Sequence, residues 1–501
     1  MQTQSVLQST LQFDGCKPVI FETSDALLTS DARLTSDAGR GFDETLGFTQ
    51  LFADALHDPR DARFTQHSFR QMTRSRIFGI LADYEDQNDH DWLRDDPVFR
   101  MIAAGSLEVE LASQPTHSRF ENAIDIPSLR RLQEVLIDQF IDAFEEPPAR
   151  LTLDIDTFDD PAHGQQQLVL FHGHYGQHQY QPRVITCAQN DMVVMPCLLY
   201  GSAKASLGAA DDIAHLVGRL REVWPDIDLE LRADSGFGVP EMFEECERLR
   251  LWYSIGFGMN AVLQRNSQDL LDEAVAAFDD TGEPQRRFTS FEYQSRSWPH
   301  SRRTIVKCEV NAIGTNRRAV VTNRPGASLL PGATYDEYVD RGESDRRRRI
   351  ECGCAARNKE LKCGLKTDRL SDHRYMANLF RLFLHVQAHN LLVRIRREIA
   401  APPTELLRDD VDPDLPIEPI PNEALSGRAR KQFANLRRRT DPLGEGHPAT
   451  WRTRVIKVAA EVVERSRCIR VKLSSTWPYL HHFASISTAA VAFALAHPQH
   501  E

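Results

Sequence analysis

Between Ser128 and Thr157 the spacing of apolar residues changes from helical to alternating, and this change constrains the fold more than any other feature. Leu129, Leu132, Val135, Leu136 and Phe140 recur at helical intervals, which predicts an amphipathic helix from Ser128 to Phe144, closed by Glu145-Glu-Pro-Pro-Ala. Leu151-Thr-Leu-Asp-Ile-Asp-Thr then alternates strictly and predicts a strand with Thr152, Asp154 and Asp156 on one face. Further strands are predicted at Gln167–His172 and Val184–Ala188, extended by Val193–Leu199, followed by an amphipathic helix at Asp212–Trp224. A strand at Ile227–Asp234, a helix after Pro240 and a strand at Leu251–Phe257 complete the series.

Three strands, a helix, a strand, a helix and a strand is the order of an antiparallel meander whose later strands add parallel beside the first. The expected fold class is therefore α/β, with an RNase H-like core built on a mixed sheet. Residues 148–258 form its first part and residues 331–400 its final helical part. Between them, residues 259–330 predict a β-rich insertion, with strands at Arg287–Tyr293, Arg303–Val310 and Arg318–Thr322. Residues 1–147 read as a helical N-terminal region, including a helix at Ser68–Tyr84. Its three Thr-Ser-Asp triplets, starting at Thr23, Thr29 and Thr35, read as helix N-caps. The proline-rich acidic stretch 401–425 is a linker, and 426–501 is a basic C-terminal region with a helix near Val455–Arg467 and a strand at Ile469–Leu473.

Composition narrows the function. No apolar run reaches the roughly 18 residues a membrane span needs; the longest, Met376–Ile395, contains Arg381, His385 and Gln387. The polar N-terminus has no basic and apolar leader pattern, and nine scattered cysteines do not suggest a disulfide framework, so a cytoplasmic location is expected. The formal net charge is −12, yet it is uneven: acids crowd the first half, while basic runs occupy Arg346–Arg349, Arg428–Arg439 and Arg452–Lys472. That asymmetry fits a nucleic-acid partner for the basic half or solvated faces of an acidic enzyme.

Two acids end two strands that such a sheet sets side by side. Asp156, or Asp154 on the same face, closes the first strand, and Asp234 closes the strand after the crossover helix. Carboxylates so placed suit a pair of divalent cations, and oxygen-only ligands suit Mg²⁺ or Mn²⁺. Aspartates at strand ends also cap turns, the plainer reading. His172, His174 and His178 lack a third ligand at a zinc-like spacing, and Cys352-Gly-Cys354 with Cys363 lacks the gap of a zinc knuckle. Tyr293 and Trp298, among arginines, either pack within the insertion or stack on bases.

Asp154-Ile-Asp-Thr-Phe-Asp-Asp-Pro-Ala-His-Gly, Leu231-Arg-Ala-Asp-Ser-Gly-Phe and Tyr338-Val-Asp-Arg-Gly-Glu-Ser together resemble the transposases of the IS1380 group of insertion sequences, within the wider IS4-like DDE transposases. Tyr84-Glu-Asp-Gln-Asn-Asp-His-Asp, Leu111–Asn122 and His373–Leu382 extend the resemblance over nearly the whole chain. The resemblance implies Mg²⁺-dependent strand cleavage and 3′-OH strand transfer on double-stranded DNA, at terminal inverted repeats and a target, by a homodimer. It implies Asp156 and Asp234 as the first two catalytic, metal-binding acids. The third belongs to a helix with Tyr-x-x-Arg-x-x-x-Glu: Tyr338 and Arg341 match as DNA contacts and place the acid at Asp345, with Glu351 the alternative, and Lys362 is the downstream basic DNA contact. Counting back from Lys362, however, puts the acid at Ala355. Ten extra residues, Asp345–Cys354, thus interrupt that helix, a displacement of about 15 Å if helical. The alternative reading is a catalytically impaired, transposase-derived protein that binds the inverted repeats without cutting them.

Overall fold

The computed structural model describes residues 8–11, 17–24, 37–324, 331–335, 358–399 and 447–496. Its centre is a mixed sheet built around β3 (Arg150–Thr157), β6 (Gln177–Cys187), β7 (Val193–Tyr200), β8 (Asp228–Ala233) and β9 (Trp252–Phe257). β6 runs antiparallel to both β3 and β7, whereas β8 joins β3 in parallel and β9 joins β8 in parallel. The pairing order β7-β6-β3-β8-β9 is the meander followed by parallel additions that the order of elements predicts. Two short strands, β4 (Asp160–Pro161) and β5 (Leu170–His172), also pair with β6.

Helices cover the sheet because their apolar residues recur at helical intervals. Helix Ile126–Ile141 starts at Asp125, whose carboxylate accepts from Ser128 N at 2.8 Å, and helix Phe69–Leu81 starts at Ser68, whose hydroxyl accepts from Gln71 N at 3.2 Å. The long helix Tyr375–Ile399 packs against helix Phe69–Leu81 and β7. The polar residues that disqualify it as a membrane span are what anchor it. Asn390 accepts from Val193 N at 2.9 Å and donates to Val193 O at 2.8 Å, and Gln387 donates to Phe48 O at 3.0 Å. Each buried backbone group so satisfied avoids a cost of about 1–3 kcal/mol. Among the described residues no helix is long and apolar enough to cross a membrane.

The three flanking motifs of the resemblance meet in a buried polar knot. Glu121 accepts from Arg76 Nε at 2.7 Å, from Gln87 Nε2 at 2.5 Å and from Arg381 Nε at 2.5 Å. His90 contacts Arg76 Nη1 at 3.1 Å and stacks on His117 with centroids 4.3 Å apart. Burial lowers the His90, His117 and His385 rings, His117 and His385 to about 3, so all three are neutral at pH 7.

Several expectations are corrected. The N-terminal region is not wholly helical: β1 (Gln8–Leu11) and β2 (Val19–Ser24) form a hairpin, so Thr23 and Ser24 lie in a strand rather than at a helix cap. β2 pairs in parallel with β14 (Ile469–Ser474), and β14 pairs with β13 (Ala460–Glu464), which replaces the helix expected at Val455–Arg467. Val462 and Val463 are β-branched and the adjacent β14 offers a hairpin partner, so strand pairing overrides the helical spacing. Residues 261–281 hold two helices, Ala261–Asn266 and Gln268–Thr281, before β10 (Gln285–Tyr293), β11 (Arg302–Asn311) and β12 (Gly314–Thr322). Those three strands continue the central sheet, because β12 pairs with β9. The strand expected at Gln167–His172 shrinks to β5, while that at Val184–Ala188 is the end of the longer β6.

Candidate active site

The register of β3 on β8 builds the site. Thr152 lies opposite Glu230, Asp154 opposite Arg232 and Ile155 opposite Ala233, where the ladder ends. Asp156 and Asp234 are the next residue on each strand. The polar face of this strand pair therefore runs from inner acids held by arginines to two acids just beyond the last rung.

The inner rungs are closed. Asp154 is fully buried and accepts both arms of Arg232, each at 2.7 Å. Glu230 is held by Arg324 at 2.9 Å and by Arg150 at 2.5 Å, and burial nonetheless raises its carboxyl to about 7. The same-face alternative Asp154 is thus committed to a structural ion pair, whereas Asp156 is half-buried and Asp234 exposed.

Both outer acids are oriented by backbone. Asp156 Oδ1 accepts from Thr157 N at 2.8 Å. Asp234 caps the short turn Ser235–Phe237, its Oδ1 accepting from Gly236 N at 2.8 Å. Close packing behind Asp234 requires glycine at 256: a Cβ there would fall 2.7 Å from Ser235 N and 3.0 Å from the Asp234 carbonyl carbon.

A segment distant in sequence closes on the same edge. Asn358 donates to Asp156 Oδ2 at 2.9 Å, while its own Oδ1 is buried and has no hydrogen-bond partner among the described residues. One turn further on, Lys362 makes a short ion pair with Asp159. Burial works to raise the Asp159 carboxyl, but Lys362 outweighs it and holds the group below the usual range. Its neighbour Asp160 is more deeply buried, and burial pushes it up to about 8 although the Lys362 charge works to lower it. Lys362 thus reaches the acidic edge of the sheet. Asp345, Glu351, Tyr338 and Arg341 lie outside the described residues, as do Arg346–Arg349, Cys352 and Cys354.

Among the described residues no group of three His, Cys, Asp or Glu side chains is placed to hold a metal ion. Two carboxylates on adjacent strands, with the buried amide oxygen of Asn358 beside one of them, are nevertheless hard oxygen donors of the kind Mg²⁺ prefers. Sequence reasoning did not single out Asn358 or Asp159, and only their apposition in space identifies them. Trp298 is buried among Phe243, Phe257 and Tyr293, with centroids 5.1–5.5 Å away, so it is a packing residue and not a base contact.

A search of curated proteins returns no match. Among solved structures, the chain shares 11% identity with the piggyBac transposase in a cryo-EM synaptic complex with hairpin DNA. The similarity covers 81% of this chain and 80% of that one at a TM-score of 0.37, too low to carry an argument. The family model described as "Transposase DDE domain group 1" matches residues 26–409, a span that includes β3, β8 and the Asn358–Lys362 segment. On that match, over most of its length, the chain belongs to the DDE transposase family.

Proposed function

We propose that the chain is a cut-and-paste transposase of the IS1380 group with an RNase H-like core, acting on the inverted repeats of its element as a homodimer. The observation that carries this reading is the apposition of Asp156 and Asp234, each the residue immediately beyond the last paired rung of β3 and β8. The pairing order β7-β6-β3-β8-β9 supports the assignment of the core.

In this reading Asp156, Asp234 and a third carboxylate, Asp345 or Glu351, hold divalent ions, with Mg²⁺ preferred and Mn²⁺ a substitute. When bound, the ions would polarise the scissile phosphate and acidify the attacking water or 3′-hydroxyl. The chain's own groups do the positioning. Thr157 N and Asn358 fix the Asp156 carboxylate, and Gly236 N fixes that of Asp234. Lys362 leaves Asp159 to meet a phosphate next to the cut, and Arg341 and Tyr338 contact the same strand. Regions 1–147 and 426–501 serve end recognition and dimerisation.

The test is Mg²⁺- or Mn²⁺-dependent nicking of a duplex bearing the element's end, alongside Asp234→Asn and a variant lacking residues 345–354 with Ala355→Glu. Cleavage by the native chain that Asp234→Asn abolishes supports the full reading. Cleavage by the repaired variant alone favours the second reading, a DNA-binding relative whose interrupted third motif has cost it activity. Cleavage without joining of pre-cut ends would replace transposition with simple nuclease action.

A further inference from the structure

The hairpin of β5 and the start of β6 carries a cluster of rings that the chemistry above does not use. Phe171 and Tyr175 are 54% and 41% exposed. His172 and His174 each lie 5.0 Å from Tyr175 by ring centroid, and Phe171 lies 5.5 Å from His178. Rings left in water at a hairpin tip forgo the burial that usually stabilises them.

This tip stands over the acidic edge. Gln177, at its base, donates to Asp159 Oδ2 at 3.3 Å, and Asp159 is the acid held by Lys362. Burial raises the Tyr175 hydroxyl, and the charges of Asp159, Asp156 and Asp234 raise it further, so the phenol lies within the field of both site acids. The base of the hairpin is packed without slack: a Cβ on Gly201 would fall 2.1 Å from Leu170 O and 2.2 Å from Gln179 O. The result is a rigid stem with an exposed aromatic tip beside the carboxylates.

We propose that Tyr175, flanked by His172 and His174, is a stacking platform for an unpaired nucleotide base of the DNA strand whose phosphate lies at Asp156 and Asp234. This rests on the reading of those acids as the cleavage site. A base presents an uncharged π-face, so an aromatic ring beside carboxylates can hold it without a cation of its own. In a continuous duplex both faces of every base are covered by neighbours, so the platform favours an end or a distorted step.

The probe is a short duplex with a single-stranded 3′ tail carrying 2-aminopurine, in Ca²⁺ so that it is bound and not cut. The proteins are the full chain, Tyr175→Phe, Tyr175→Ala and Asp234→Asn. Stacking predicts quenched fluorescence with the native chain and Tyr175→Phe, and loss of quenching with Tyr175→Ala. It also predicts that Tyr175→Ala weakens tailed-duplex binding about tenfold while leaving the blunt duplex unaffected. Tyr175→Ala with native thermal stability and undiminished quenching overturns the platform, and an equal loss on blunt and tailed DNA does the same. If Tyr175→Ala is indifferent while Asp234→Asn abolishes nicking, the platform fails and the cleavage site stands. If the native chain binds neither DNA, both readings fail.

Discussion

His117 offers a sharp test of the buried polar knot around Glu121. Its ring is fully buried, neither nitrogen has a hydrogen-bond partner among the described residues, and its surroundings include Arg76, Glu121, His67 and His90. Burial holds its pKa at about 3, against 6.5 for an ordinary histidine, and the Arg76 charge adds to the effect. Between these values the unfolded chain binds a proton that the native chain refuses, so stability falls as pH drops below the unfolded value. At pH 5 the penalty is about 2 kcal/mol for this one ring, from 1.36 kcal/mol per unit over about 1.5 units. Asp160 and Glu230, raised to about 8 and about 7, work in the opposite sense, being relieved as acid protonates them in the unfolded chain as well. The wild-type profile alone therefore mixes both signs. The informative quantity is the difference between wild type and His117→Leu, measured by urea unfolding at pH 7.5, 6.0 and 5.0. That difference should shift by about 2 kcal/mol in the variant's favour between pH 7.5 and 5.0. A difference independent of pH would refute the claim that His117 is neutral and sealed.

Further outcomes follow from the same geometry. Asp234→Asn should leave thermal stability nearly unchanged, since Asp234 is exposed, and lower metal-dependent nicking by at least about 100-fold. Asp154→Asn should do the reverse in kind, costing about 3–5 kcal/mol of stability by leaving Arg232 buried without its carboxylate, as read by denaturant melts. Glu121→Ala strands Arg76 and Arg381 together and should cost at least as much, with a soluble yield too low for a cooperative melt as the extreme case. Gly256→Ala forces a Cβ against the Asp234–Ser235 backbone and should cost about 1–3 kcal/mol, with a fall in nicking larger than that loss of stability explains.

Local spacing was enough for β3, β8 and the helix between them. The alternation of Leu151–Thr157 and Ile227–Asp234 separates an apolar face from a polar one, both of them buried, and the helical interval of Asp212–Trp224 marks one buried side, which a sequence displays directly. It could not reveal pairings between distant segments. Val462 and Val463 read as part of a helix, yet they pair with Val471 and Arg470 of β14, whose other edge is held by β2 from the opposite end of the chain. Asp154 and Asp156 share a face and differ only in what stands opposite, Arg232 for one and the end of the ladder for the other, so register alone separates them. Asn358 was invisible for a similar reason: nothing in its neighbours predicts a contact with Asp156 across 202 residues.

The joining of β2 to β14 imposes a schedule on synthesis. Lys17 reaches Glu464 at 2.6 Å across 447 positions of the chain, beside the β2–β14 ladder. At about 5–20 residues per second, a ribosome needs about 20–90 s to deliver the partner after β2 has emerged. During that interval the edge of β2 that β14 later covers stands open, with Val19 and Phe21 awaiting burial. A nascent chain in this state is open to strand addition from any neighbour on the same message. Stalled or truncated products that lack β14 keep that edge for good, so β14 acts as the seal on β2.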